Sequence, residues 1–165
     1  MRKLNKKGFT LVELLAVIAI LALLMLLVTP NILKLFTEGK KNAFATQVQS
    51  VWKAAETKYI NDSLTSSTPG PYCYVGTGLA GSFAEIKATN PRDLGIENNK
   101  TLAYFVKFNS EGKIAQLIVT NGSYYYSSDA PSIDVDVDSD VKTVKSTDKF
   151  VCDATTGVGT YTVGQ

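Results

Sequence analysis

The chain contains no histidine, only two cysteines and a single tryptophan among its 165 residues. Without histidine, Ser/His/Asp and Cys/His catalytic constellations are excluded, and so are zinc sites built on imidazole. The sequence also lacks a Cys-x-x-Cys spacing, a glycine loop that cradles phosphate, and a carboxylate pair in a recognisable motif. It therefore predicts neither an enzyme nor a protein that depends on a cofactor or a metal.

An excess of charge of one sign is missing as well, because the formal net charge is only +2. The first eight residues hold four of the 17 basic side chains and none of the 15 acidic ones, so the rest of the chain is mildly acidic. This balance does not support nucleic-acid binding through a basic surface, and no direct nucleic-acid partner is predicted.

One long apolar run, Phe9–Val28, follows the basic N-terminal stub. As a helix its 20 residues would be about 30 Å long, enough to span the hydrocarbon core of a bilayer. Basic residues precede the run, and the next one after it is Lys34. The positive-inside rule therefore predicts a cytoplasmic N-terminus and an external C-terminal part.

Glu13 is the only charged residue inside this run. A carboxylate near the middle of a spanning helix costs roughly 2.5–3.5 kcal/mol on insertion scales, so such a residue is expected to have a function and a partner. The run holds no basic residue, which leaves another chain, a nearby terminus or water. A cut after Gly8 would place the new α-amine of Phe9 four residues before Glu13, and we expect subunit assembly through this pair.

Residues 6–15, with the sequence KKGFTLVELL, resemble the processing signal of type IV prepilins and the related pseudopilins. The resemblance implies that a prepilin peptidase cuts after Gly8 and methylates Phe9, and that Glu13 is the family's glutamate at the fifth position of the processed chain. Pro30 matches a proline that many such pilins carry. The resemblance further implies a filament of identical or related subunits with their N-terminal helices in the core, polymerised by a dedicated ATPase-driven machine in the membrane.

Within this family the sequence leaves open a major pilus subunit, a minor or competence pilin, and a type II secretion pseudopilin. Adhesion, motility or DNA uptake would be properties of the whole filament at the cell surface. Outside the family, the alternative is a membrane-anchored or secreted binding domain behind an ordinary signal peptide. The length of the run, Glu13 and the poor cleavage site at residues 29–31 count against a signal peptide.

After Pro30 the helical pattern becomes amphipathic. One stripe at helical spacing consists of Phe44, Val48, Val51, Trp52, Ala55 and Tyr59. A single helix over about residues 9–61 is predicted, with Pro30 and Gly39 as sites of a bend or of local melting. The predicted organisation is a leader at 1–8, a membrane and filament-core helix at 9–30, an amphipathic half at 31–61 and a globular sheet domain at 62–165.

Sequence patterns typical of β-strands recur along the globular part. A three-stranded antiparallel meander is predicted over residues 101–108, 113–120 and 123–127, where Asn121-Gly122 gives the last hairpin turn. Weaker strand signals occur at 72–75, 82–86, 150–152 and 160–163. The predicted class is therefore α+β and pilin-like, with the apolar face of an antiparallel sheet covering the helix stripe.

Two cysteines, an aspartate-rich segment and three consecutive tyrosines of this domain each predict a structural feature. Cys73 and Cys152 both fall in the external part, where a structural disulfide closing a loop of about 80 residues is expected rather than a reactive thiol pair. The aspartate-rich segment 129–140 is interpreted as a solvated edge strand or loop, with a calcium site as the alternative. Tyr124–Tyr126 should place Tyr125 opposite its neighbours, with one side in the core and the other on the surface.

Overall fold

The computed structural model describes residues 10–65, 69–79, 81–97 and 99–165. Gly8 and Phe9, and with them the whole predicted leader, lie outside the described residues. The chain forms two compact units, and the boundary between them lies between Lys40 and Lys41.

A single helix, α1, runs from Leu11 to Leu64. Its assignment is continuous through Pro30 and Gly39, so a bend at these two positions stays a prediction. The Thr29 hydroxyl donates to the Met25 carbonyl over 2.6 Å. The helix ends about one turn later than the sequence indicates.

In the first unit, the apolar side chains of α1 are uncovered. Every large apolar residue from Leu11 to Phe36 is well exposed, and the most shielded of them, Ile32, still exposes 43% of its surface. Soluble proteins rarely leave a continuous apolar surface of this extent in water. This part of the helix therefore requires lipid or other polypeptide around it.

The second unit contains a five-stranded antiparallel sheet in the order β1-β3-β4-β5-β6. Its strands are β1 (Tyr72–Val75), β3 (Ala103–Phe108), β4 (Ile114–Thr120), β5 (Tyr124–Ser128) and β6 (Lys142–Thr143). The predicted meander is confirmed as β3, β4 and β5, with boundaries within two residues of those expected.

A second sheet of three strands was not predicted. It consists of β2 (Glu85–Thr89), β7 (Lys149–Asp153) and β8 (Val158–Thr162), in the order β2-β7-β8. The β2–β7 pair is parallel, whereas β7 and β8 form an antiparallel hairpin. β2 begins at Glu85 rather than at Ser82, and the preceding residues form turns.

The second half of α1 packs on one face of the larger sheet, which confirms the predicted α+β class. Phe44, Val48, Val51 and Ala55 of the helix stripe are buried there, while Trp52 and Tyr59 are half-buried at its border. The facing strand residues include Tyr104, Val106, Leu117 and Val119.

The other face of the larger sheet is also covered. Phe105 and Ile118 point to this face because side chains alternate along a strand, and they pack with Phe150 of β7. Gly159 in β8 permits this close approach, since a Cβ there would lie 2.2 Å from the Phe105 ring. The unit therefore has three layers: helix, five-stranded sheet and three-stranded sheet.

These layers correct the expectation for the three consecutive tyrosines. Tyr125 does point away from the helix, but it is buried, with 7% exposure, and stacks on Tyr161 with ring centroids 3.9 Å apart. The expectation that one side of this strand would be at the surface was wrong, because the second sheet covers that side.

Candidate functional site: the start of the apolar helix

Thr10 and Glu13 form a reciprocal cap at the start of α1. The Glu13 Oε2 atom accepts hydrogen bonds from the Thr10 backbone N–H and from the Thr10 hydroxyl, each at 2.9 Å. The Glu13 N–H donates to the Thr10 Oγ1 over 3.3 Å. This is the arrangement of a capping box, in which the N-cap residue and the third helical residue satisfy each other's backbone donors.

The cap gives Glu13 a defined orientation on an exposed apolar helix. Its Oε1 atom accepts no hydrogen bond from the part of the chain that the structure describes, so the carboxylate keeps capacity for a further donor. Sequence reasoning missed Thr10, although the Thr-x-x-Glu spacing before an apolar run is a readable signature of a capping box.

The surface that follows Glu13 is apolar over several turns. By length and composition, α1 qualifies as a helix that can cross a membrane, and none of its most apolar window is buried within the chain. Around Pro30, the residues lining a shallow apolar groove are Ala22, Met25, Leu26, Thr29, Pro30 and Leu33. This segment is suited to packing against lipid tails or against other apolar helices.

Cys73 and Cys152 are joined by a disulfide, with their Cα atoms 5.9 Å apart. Both are fully buried. Cys73 lies in β1 of the larger sheet and Cys152 in β7 of the smaller one, so the bond links the two sheets. The arrangement is structural, since no free thiol remains at these positions.

The aspartate-rich segment forms turns. The Asp136 carboxylate accepts the N–H groups of Asp138 at 2.9 Å and of Ser139 at 3.4 Å, and the Asp140 carboxylate accepts the Asp136 N–H at 3.0 Å. Residues 129–140 form turns and bends and contain no strand. Within the described ranges there is no group of histidine, cysteine, aspartate and glutamate side chains placed to hold a metal ion.

Two carboxylates are buried in the second unit, and buried titratable groups are candidates for function. The first, Asp62, accepts the Tyr72 hydroxyl at 2.9 Å and pairs with Lys58 at 3.0 Å and Arg92 at 3.1 Å. Burial raises its pKa, but the hydrogen bonds from Lys58 and Tyr72 and the charges of Lys58 and Arg92 outweigh burial and lower the pKa. Asp62 thus ties the end of α1 to β1 and to the loop after β2.

The second buried carboxylate, Asp148, is fully enclosed. It accepts the Tyr161 hydroxyl at 2.7 Å and the N–H groups of Lys145 and Gly164, both at 2.9 Å. Burial raises its pKa, yet the two backbone donors, Tyr161 and the Lys145 charge together lower the pKa. All of its partners lie around the smaller sheet, so the role of Asp148 is to hold β8 and the turn before β7.

We expect Asp148→Asn to reduce stability at neutral pH and to flatten its dependence on pH. Because the folded-state pKa lies below the unfolded value of about 3.9, the carboxylate contributes stability above that pH and loses it as the pH falls through the folded pKa. Removing the charge should cost about 1–3 kcal/mol at pH 7. Urea unfolding of the full chain in detergent, followed between pH 7 and pH 3, measures both effects.

The matched control for this change is Asp129→Asn, at an exposed aspartate whose carboxylate contacts the Gln116 amide. It should leave the free energy of unfolding nearly unchanged at every pH. Equal acid sensitivity of Asp148→Asn and the unmodified chain would contradict the role given to Asp148.

Comparison with known proteins gives one result, and it concerns the N-terminal segment. Residues 3–29 match the family model described as the prokaryotic N-terminal methylation motif. No curated protein and no solved structure matches the chain. The matched residues include Glu13 and extend almost to Pro30. The chain therefore carries, at its N-terminus, the signature of type IV pilin-like prepilins.

Proposed function

We propose that this protein is a structural subunit of a type IV pilus, made as a membrane-anchored precursor. Prepilin peptidase cuts the precursor between Gly8 and Phe9 and methylates the new amine of Phe9. The processed chain then polymerises through its N-terminal helix with identical or related subunits. The observation that carries the proposal is the methylation motif at residues 3–29, followed by an apolar helix that the chain leaves uncovered.

Before assembly, the apolar segment anchors the precursor in the cytoplasmic membrane. Its N-terminus is cytoplasmic and its globular domain external, which the positive-inside rule supports because four basic residues precede the apolar segment. The disulfide between Cys73 and Cys152 fits an oxidising, external location for that domain. After assembly, the subunit is part of an extracellular pilus.

During assembly, neighbouring helices replace the lipid around the apolar side chains. Lipid tails are as apolar as leucine, so this exchange supplies little hydrophobic driving force and depends on close packing and on polar contacts. Glu13 provides the polar contact. Its carboxylate is oriented by Thr10 and pairs with the amine of Phe9, on its own helix or on a neighbouring one, which sets the register of an entering subunit.

The chain itself is proposed to have no enzymatic activity. The described residues include two buried carboxylates, Asp62 and Asp148, and both are engaged in structural hydrogen bonds. The chemistry of this protein is that of a substrate, whose processed bond lies between Gly8 and Phe9. Adhesion, motility or DNA uptake would be carried out by the assembled filament and its assembly machinery.

Intact-mass measurement and N-terminal sequencing of the chain, recovered from the surface of its native host, test this proposal. The expected N-terminus is Phe9, with the mass of one additional methyl group. The same chain from a host without prepilin peptidase should retain Met1 and remain in the membrane. A surface form that begins at Met1, or at a residue beyond Val28, would contradict the proposal.

A further inference from the structure

The sequence contains a single Asn-Gly pair, Asn121-Gly122, and it lies in the turn between β4 and β5. In such a pair the backbone nitrogen of the glycine can attack the side-chain amide carbon of the asparagine. The new N–Cγ bond closes a succinimide ring, the Cγ–Nδ2 bond breaks, and the amide nitrogen leaves as ammonia with the proton of the glycine nitrogen. Water then opens the ring to aspartate or isoaspartate. Glycine permits the attack most readily because it has no side chain to hinder it.

The amide that would react is fixed at both of its polar atoms. The Asn121 Oδ1 atom accepts the N–H groups of Ser123 at 3.1 Å and of Tyr124 at 2.9 Å. These are the short-range contacts by which an asparagine side chain stabilises a turn. The Asn121 Nδ2 atom donates to the Gln47 Oε1 atom at 3.1 Å, which ties the turn to α1.

The attacking nitrogen is held as well. The Gly122 N–H donates to the Oγ1 atom of Thr120 at 3.2 Å, and Thr120 is fully buried. The Asn121 N–H donates to the Tyr124 carbonyl at 3.2 Å. A Cβ on Gly122 would lie 2.9 Å from the Leu79 side chain, so the glycine backbone packs closely against it. These contacts oppose rotation of the peptide unit that joins residues 121 and 122.

Ring closure requires that rotation, because the Gly122 nitrogen must come to face the amide carbon of Asn121. We propose that Asn121 is a deamidation site that the fold protects. In the folded chain the contacts to Gln47 and Thr120 hold the two reacting groups apart, and the reaction proceeds from states in which the turn has opened locally. Turns open at a lower free-energy cost than the strands of a core, so such states are accessible without global unfolding.

The reaction products would alter the contact between the turn and the helix. Aspartate at position 121 has no amide N–H to donate to Gln47, and it places a negative charge beside α1. Isoaspartate also adds a methylene group to the main chain, directly after the paired residues Thr120 and Tyr125 of β4 and β5. Protection of Asn121 therefore preserves the register of this hairpin.

Peptide mapping by mass spectrometry tests the proposal, since deamidation exchanges an amide NH2 for an OH. The full chain is kept in detergent at mildly alkaline pH, with or without guanidinium chloride. Asn109-Ser110 is the internal reference, because Asn109 is exposed and its Nδ2 atom donates to no acceptor in the described part of the chain. Folding should slow deamidation of Asn121 on the order of tenfold or more, and should slow that of Asn109 less.

Gln47→Leu removes the contact from α1 and leaves the residues of the turn unchanged. In the folded chain it should raise the rate at Asn121 roughly two- to tenfold, as expected for the loss of one hydrogen bond. Gln49→Leu is the matched control, because the Gln49 amide donates to the Ile133 carbonyl and not to this turn. It should leave the rate at Asn121 unchanged. In denaturant the two variants and the unmodified chain should react equally fast.

Deamidation of Asn121 as fast in the folded chain as in denaturant would overturn the protection. A Gln47→Leu rate equal to that of the unmodified chain, or an equal rise in Gln49→Leu, would overturn the part assigned to the contact with α1. None of these measurements requires a filament, so their outcome is independent of the proposed function.

Discussion

Replacement of Glu13 by valine is expected to leave membrane insertion and cleavage intact while strongly reducing incorporation into filaments. Insertion should if anything become easier, because the change removes a charged side chain from the apolar run. Glu13 lies near the start of the run, so the gain should be smaller than the roughly 2.5–3.5 kcal/mol that an acidic side chain costs at the centre of a spanning helix. In the proposed filament, the same change would leave the amine of Phe9 buried without its partner. Removing one member of a buried charge pair costs about 2–5 kcal/mol, which corresponds to a loss of about 30-fold or more.

The capping box calls for controls that separate charge from local helix geometry. Glu13→Gln keeps an oxygen that can accept the hydrogen bonds of Thr10 but removes the charge. Thr10→Val removes both contacts of the hydroxyl, to the Glu13 carboxylate and from the Glu13 N–H, and keeps the backbone donor of residue 10. If charge sets the register, Glu13→Gln should be nearly as defective as Glu13→Val, and Thr10→Val should be close to normal.

The measurement is the ratio of filament-associated to membrane-associated chain, with cleavage monitored by the N-terminal residue. Incorporation of Glu13→Val at the level of the unmodified chain would contradict the charge-pair account. If Thr10→Val were as defective in incorporation as Glu13→Val, the role of Glu13 would lie in capping α1 rather than in its charge.

The sequence best predicted those features that depend on residues close together in the chain. The methylation motif can be recognised in a linear segment, because a peptidase reads residues around one bond, and the match at residues 3–29 agrees with it. The helix stripe and the meander were also predicted, since helical and strand periodicities are set by neighbouring residues. The cap by Thr10 was equally local and was overlooked.

The three-layer arrangement of the second unit was not predictable from such patterns. β2 pairs in parallel with β7, which lies about 60 residues further along the chain, and its short sequence shows only weak alternation. Without that sheet, one side of the Tyr124–Tyr126 strand was expected at the surface. Asp62 and Asp148 stand in polar segments, and only their tertiary partners show that both are buried.

The partner of Glu13 illustrates a different limit. A carboxylate in an apolar run signals that a partner exists, but the described chain supplies only Thr10 within hydrogen-bond distance. Gly8 and Phe9 lie outside the described residues, and an assembled neighbour is a separate molecule. The sequence thus predicts a charge pair, and the proposed second member is the Phe9 amine of the same or of a neighbouring subunit.

Loss of the disulfide is expected to be the largest single change in the stability of the globular unit. Cys73 and Cys152 are separated by 79 positions, and on the chain-entropy model a loop of this length contributes about 4–5 kcal/mol. Typical domains are stable by only about 5–15 kcal/mol, so removal of the bond should take away a large share. The bond also joins the two sheets, whose contact includes the close approach of Phe105 to Gly159.

The measurement is urea unfolding of the full chain in detergent, followed by the fluorescence of Trp52, the only tryptophan, which is half-buried beside the helix–sheet core. Cys73→Ala/Cys152→Ala should unfold at a much lower urea concentration than the oxidised chain. The unmodified chain treated with reductant under denaturing conditions should refold to nearly the stability of this variant, while the variant itself should not respond to reductant. Coincident unfolding curves for the oxidised and reduced chains would show that the core between the sheets, rather than the covalent link, holds the unit together.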